Sequence, residues 1–231
     1  MKRQRSATFT RGLSLRWILK TRGLIGFVQW TARSLPYHLW LHLTPQGRRD
    51  LRFDELHGVV TEGIVQPEIE HAVQYAPVQP SRFRSYMRRL PIDPRTFTFI
   101  DIGSGKGRAL ILAREFGFRR VVGIEVSEML CEIARNNAPD AEVHCVNALD
   151  FEPPPEDSVI HMFNPFRDPV MSRFAARIEE SLKTPPPHSV WVVYHRPFFA
   201  GAFEQSSAFE QFWREGDRLA IYRTSTEMRS K

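Results

Sequence analysis

Cysteine is almost missing from this chain, with two residues, Cys131 and Cys145, in 231. Two cysteines on separate predicted elements make neither a disulfide framework nor a paired metal-ligand motif. They read as small buried apolar side chains in a protein suited to a reducing compartment. Long apolar runs are missing too. The longest uncharged stretches of the N-terminal region, residues 23–32 and 34–47, fall short of the roughly 20 residues that span a bilayer, and Pro36 interrupts the second. Acid is absent from residues 1–49, which hold ten lysines and arginines, so the net charge of +6 resides in this arm and the rest of the chain is net acidic. No internal repeat is visible, and no His, Cys or Asp cluster has metal-ligand spacing, so no metal is expected. Nucleic acid is not favoured as a partner, because the basic residues of the arm are interleaved with Trp17, Trp30, Trp40 and many leucines.

With 42% apolar residues the chain can bury one sizeable core beside that arm. Alternating Arg, Trp and Leu over residues 1–53 predicts helices. Three readings stand. The helices pack on the main domain, or they lie at an anionic membrane surface with arginines reaching back to the headgroups, or the arm is an acid-poor targeting segment. The chain is then expected in the cytoplasm or at the periphery of a membrane.

Residues 98–113 read TFIDIGSGKGRALILA. A β-rich run ending in three glycines and continuing as an apolar-periodic helix marks a nucleotide site at a strand-to-helix turn. The spacing decides which nucleotide. Counting G-x-G-x-x-G from Gly103 ends on Arg108 and from Gly105 on Leu110, so the dinucleotide fingerprint fails. A P-loop needs Ser or Thr after Gly-Lys, and Gly107 stands there instead. What remains is D-x-G-x-G-x-G over residues 101–107, and on this motif the chain resembles the class I S-adenosylmethionine-dependent methyltransferases.

That resemblance implies a cofactor site made of Asp101, Gly103, Ser104, Gly105 and Gly107, with S-adenosyl-L-methionine as cofactor. Glu125, closing the strand-like run RVVGIE, is the acid expected to bind ribose hydroxyls, both of its oxygens accepting. After the third strand the family pattern has an acid and a small residue near the adenine. Here Asn147-Ala148 stand in that place, the amide oxygen of Asn147 accepting from the adenine amino group. Upstream, Tyr75 followed by Pro77 resembles the tyrosine-proline segment preceding the first strand in small protein lysine methyltransferases and related bacterial methyltransferases, which lies over the cofactor. Residues 54–76 hold Gly58, Gly63 and Pro67, lack a period and read as a lid. Asn164-Pro165-Phe166, at the carboxyl end of the run SVIHMF, resembles the Asn-Pro-Pro-aromatic motif of amino-methylating members with one proline missing. It implies Asn164, Pro165 and Phe166 as catalytic residues, Asn164 facing the transferred methyl and aligning an amine such as a protein lysine. His161 in the same run reads as a buried histidine. His195 and Arg196, after the next strand, are candidates for the substrate pocket or for a solvated strand end.

The alternation of strands and helices predicts an α/β fold, a doubly wound, seven-stranded, mostly parallel sheet with an N-terminal helical extension. Residues 1–53 form the arm, 54–95 the lid and a helix, and 96–231 the cofactor domain. Its function reads as methyl transfer to an unidentified acceptor. The alternative is a membrane-associated or scaffolding protein that binds the cofactor without turnover.

Overall fold

Every strand predicted after residue 96 is present, because each is a short β-branched or aromatic run bounded by turn residues. The computed structural model describes residues 39–65, 72–185 and 187–225. Its internal contacts divide the chain after His57, slightly beyond the boundary expected at residue 53. In the first unit lie α1 (Pro45–Leu51) and α2 (Phe53–His57). Thr44 starts α1 by accepting the Gly47 N–H at 3.0 Å, with a proline at the first turn, where its missing N–H costs nothing. Most of the expected helical arm lies outside the described residues.

The second unit is built on one sheet in the order β3-β2-β1-β4-β5-β7-β6. Its strands are β1 (Thr98–Ile102), β2 (Arg120–Glu125), β3 (Glu142–Cys145), β4 (Ser158–Phe163), β5 (Val190–His195), β6 (Phe209–Glu215) and β7 (Leu219–Thr224). The first five run parallel, and β7 enters antiparallel between β5 and β6. The order reverses between β1 and β4, so a crevice opens there at the carboxyl ends of the strands.

All five residues of β1 are buried, as a central strand covered on both faces requires. Ile100, Ile102, Ile160, Met162, Val192 and Tyr194 form one face with Met171, Phe174 and Ile178 of α6 (Val170–Ser181) and Phe203 of α7 (Gly201–Glu204). Strand alternation sends Phe99, Asp101, His161 and His195 to the other face. There Phe83 of α3 (Pro80–Met87) meets Phe99 and His161 edge-on, each with 5.6 Å between ring centroids, and Tyr86 meets His195 at 5.3 Å. Burial of each such ring contributes about 1.5–3 kcal/mol. Two more helices, α4 (Arg108–Phe116) and α5 (Glu128–Asn137), complete the covering. Cys131 on α5 is buried, and its thiol is pushed up first by burial and then by Cys145 on β3, so the two cysteines are neighbours although their elements differ.

The amino ends of the strands are tied by charge. Glu156 accepts from Thr98 Oγ1 at 2.8 Å and from Arg119 at 2.5 Å, while Arg120 forks onto Glu142 at 2.8 and 2.6 Å. Burial pushes the Glu156 carboxyl up, but these hydrogen bonds and guanidinium charges outweigh it and hold it below the usual carboxylate range.

His195 is 2% exposed, and neither ring nitrogen has a hydrogen-bond partner. Burial, with repulsion from His161, Arg82 and Arg196, lowers it to about 3. The folded protein therefore keeps this imidazole neutral, while the unfolded chain protonates it below about 6.5. Its contribution to stability is complete above about pH 6.5 and is lost as pH falls toward 3, by up to about 1.4 kcal/mol per pH unit. Denaturant titrations should show stability falling less steeply from pH 6.5 to 4 in His195→Phe than in the parent. Equal slopes would mean that the imidazole is not held neutral.

Candidate cofactor site

The turn after β1 is held by its own backbone and by one carboxylate. The Gly103 and Ser104 N–H groups donate to the Ile124 carbonyl at 2.8 and 3.0 Å, which seats the turn on the end of β2. Glu125 Oε2 accepts the Gly105 N–H at 2.9 Å, and Oε1 accepts those of Val126 and Ser127 at 2.9 and 3.0 Å. A carboxylate offers about four acceptor positions, so three backbone donors leave one. The ribose contact expected of both oxygens is thereby reduced to a single acceptor.

At Gly105 the requirement for glycine is sharpest. Its φ is 54°, and a Cβ there would lie 2.0 Å from the Tyr75 ring. Tyr75 rests on this bare backbone and donates from its hydroxyl to the Thr61 carbonyl at 2.8 Å. Thr61 and Glu62 are gripped in turn by the glycine turn itself. Lys106 Nζ donates to the Glu62 carbonyl at 2.5 Å, and buried Arg108 donates to Thr61 Oγ1 at 2.6 Å and to the Glu62 carboxylate at 2.8 Å. Asn137, at the end of α5, donates to the carbonyls of Val60 and Lys106 at 3.2 and 2.9 Å. The described parts of the expected lid, residues 58–65 and 72–76, therefore form a strap. Its two parts meet where Val65 and Tyr75 pair antiparallel, and Ala72 pairs with Phe166 across the crevice.

Beneath the strap lies a cavity of about 470 Å³ across the carboxyl ends of four strands. Gly103 lines it after β1, residues 125–127 at β2, residues 146–149 after β3, and Phe163, Pro165 and Phe166 at the end of β4. Met129 and Leu130 close the β2 side, and residues 72–76 of the strap close the top. Its size suits a nucleoside-sized ligand.

Of the expected cofactor residues, Tyr75, Gly103, Glu125, Asn147 and Ala148 meet in this wall. Asn147 lines it with its amide oxygen already accepting the Leu149 N–H at 2.9 Å. Gly105, Gly107 and Ser104 shape the turn from behind. Gly107, at φ 85°, opens α4 against Ala134, and Ser104 is buried beside Gly123. Asp101 is not in the wall. Strand alternation carries it to the opposite face, where its carboxylate meets His161 Nδ1 at 2.6 Å.

The Asn-Pro-Phe turn also differs from its expected geometry. Asn164 has φ 43°, a left-handed conformation that asparagine tolerates better than most residues. Its amide oxygen accepts the Tyr194 hydroxyl at 3.2 Å, and the residue does not line the cavity. Pro165 and Phe166 do, and the Pro165 carbonyl accepts the Val73 N–H of the strap at 2.9 Å. Motif reading missed Arg108, Asn137 and Tyr194. The signal for the first was a second basic residue within a turn that fits no phosphate-binding pattern.

A glycine turn, an acid closing the next strand and a cavity at the point where strand order reverses together define a nucleotide-cofactor site of a doubly wound α/β protein. Residues 99–184 match the family described as "Methyltransferase domain". No curated protein matches the chain. A putative RNA methyltransferase from Pyrococcus horikoshii shares the fold, with a TM-score of 0.55, 16% identity, and 79% of this chain and 96% of that one covered. A putative methyltransferase from Pseudomonas syringae superposes with a TM-score of 0.49, 15% identity and 63% and 97% coverage. For an RNA methyltransferase from Salinibacter ruber in complex with S-adenosyl-L-homocysteine the values are 0.45, 21%, 64% and 92%. Residues 99–184 are thus a methyltransferase domain on a doubly wound fold, and the protein is a methyltransferase with S-adenosylmethionine as its cofactor.

The strap should loosen when its grip on the turn is cut. Replacing Arg108, which is 3% exposed, with Met removes charge-assisted hydrogen bonds of about 1.5–3 kcal/mol each. Amide exchange of residues 58–65 and 72–76 in Arg108→Met should rise at least tenfold while strands β4 and β5 stay protected. Unchanged exchange in the strap would show that Arg108 does not hold it.

Proposed function

We propose that this methyltransferase acts on an amine acceptor that reaches the methyl group past Phe163, Pro165 and Phe166, with the strap standing in its place when no acceptor is bound. What carries the reading is the hydrogen bond from the Val73 N–H to the Pro165 carbonyl at 2.9 Å. An N–H donor from the chain itself already sits on the acceptor-side carbonyl. An amine donating to the same oxygen would replace it when residues 72–76 withdraw.

The residues present suit the cofactor. The wall after β2 and β3 joins an acceptor, Glu125, to apolar Val126, Met129 and Val146, which are 39%, 55% and 38% exposed and would be covered by a bound nucleoside. When bound, the cofactor supplies a methyl group already activated by its sulfonium. The chain then has to bind, align and exclude water. Among the described residues, Glu125 and Tyr75 are the ionisable groups lining the cavity, and both are committed, Glu125 to three backbone N–H groups and Tyr75 to Thr61. Neither is free to serve as a general base. The amine is accordingly taken up in its neutral form, its proton leaving to solvent after transfer.

In this reading Pro165 and Phe166 contact the acceptor, the ring packing against it, and Asn164 shapes the turn. Binding without turnover is set aside. Protein lysine remains one amine among those a screen must include. No helix among the described residues is long and apolar enough to cross a membrane, and an anionic membrane contact through residues 1–49 remains a proposal for sedimentation with vesicles.

Glycine adopts φ near 43° freely, so Asn164→Gly keeps the backbone and discards the amide. Once radiometric screening of amines, alcohols and thiols has given an acceptor, Asn164→Gly should keep turnover within about threefold, because the acceptor contact is made by Pro165 rather than by the amide. A loss near 10² would return the aligning role to the Asn164 side chain. Methylation of oxygen or sulfur acceptors alone would overturn the amine. In calorimetry, Glu125→Ala should weaken S-adenosylhomocysteine at least tenfold, through the turn it holds and the hydroxyl it accepts from. Unchanged affinity would remove Glu125 from the site.

A further inference from the structure

The cavity ends at β4, and the next strand outward in the sheet is β5. At its carboxyl end stands Arg196, which the cofactor site does not use. Its backbone is left-handed, at φ 53°, in a residue with no steric licence for it. The conformation is held from both sides. The Arg196 N–H donates to the Arg218 carbonyl at 2.9 Å, and the Arg196 carbonyl accepts the Phe198 N–H at 2.8 Å. Strained conformations of this kind persist where surrounding structure fixes them, and they concentrate at ligand sites. Here the strain aims an exposed guanidinium, with Cζ 5.9 Å from the ring centroid of Phe163, the cavity residue closest to β5. Among the described residues no carboxylate pairs with Arg196. The nearby Arg89 and Arg218 share Glu215, at 3.4 and 3.6 Å.

We propose that Arg196 is an acceptor-binding residue that selects a small planar acceptor carrying an oxyanion, a carboxylate or a phosphate, whose body lies against Phe163. The inference rests on the reading that the acceptor enters at the β4 end of the cavity. A guanidinium without an acid at a cavity rim is an oxyanion site in its chemistry, and its fork matches either group bidentately. A small acceptor fits better than nucleic acid. Residues 50–231 are net acidic, and two of the arginines near Arg196, Arg89 and Arg218, are paired with Glu215, which reduces the charge available there to a polyanion.

The test uses the full chain loaded with S-adenosylhomocysteine and four fragment probes, benzoate, phenyl phosphate, benzamide and benzyl alcohol, followed by ligand-observed NMR. At least one oxyanion should bind in the millimolar range and about tenfold tighter than the neutral probes of the same shape. Benzoate against phenyl phosphate then distinguishes the two sources of the anion. Arg196→Gly, which keeps the left-handed backbone without strain, should abolish the difference, and Arg196→Lys should restore part of it. Calorimetry should show unchanged S-adenosylhomocysteine affinity in both variants. Equal binding of charged and neutral probes, no oxyanion binding, an anion preference that survives Arg196→Gly, or capture of a single-stranded oligonucleotide without any small oxyanion would each overturn the proposal. Loss of S-adenosylhomocysteine binding by the parent protein would instead overturn the cofactor reading on which it stands.

Discussion

Three backbone N–H groups converging on the carboxylate of Glu125 are the constraint around which the rest of the site is arranged. They come from the turn after β1 and from the chain leaving β2, so one side chain ties two crossover connections together at the switch point of the sheet. Without it, one buried and two half-buried donors would need other partners, a buried unsatisfied group costing about 1–3 kcal/mol. The same bonds fix where Gly105 lies, and Gly105 fixes where Tyr75 can rest. The acid thus serves the protein before it serves any ligand.

From that point the structure is a set of dependencies running outward. The turn presents Lys106 and Arg108 to the strap, Asn137 fastens the strap to the end of α5, and residues 72–76 reach across to the loop after β4. Polar contacts connected in this way, with the Arg108–Thr61 bond buried among them, are worth more as a set than pair by pair. The opposite end of the sheet is handled separately, by the Glu156 and Glu142 ion pairs with Arg119 and Arg120.

The sheet was legible in the sequence because its signals are local. β2, β4 and α5 begin and end where their apolar runs and caps place them. The seven-stranded doubly wound order follows from strand and helix alternation with a closing hairpin. The glycine turn and Glu125 were legible as a pattern, as was the presence of Tyr75 over it. What was not legible is direction. Asp101 belongs to the motif yet points at His161, since alternation along β1 decides its face and the motif does not. Asn164 stands where an amide was expected to face the methyl group, but a left-handed backbone and the Tyr194 hydroxyl turn it aside. Residues separated by forty or more positions, such as Arg108 and Thr61, carry no shared period and meet only through the fold.

The strap links the two halves of the crevice. Within five residues it touches both ends of the crevice, with Ala72 and Val73 on the Phe166 turn and Tyr75 on Gly105. In a segment so short the contacts at the two ends are mechanically coupled. In the reading proposed above, withdrawal of residues 72–76 from the Phe166 turn would also disturb the cover over Gly105.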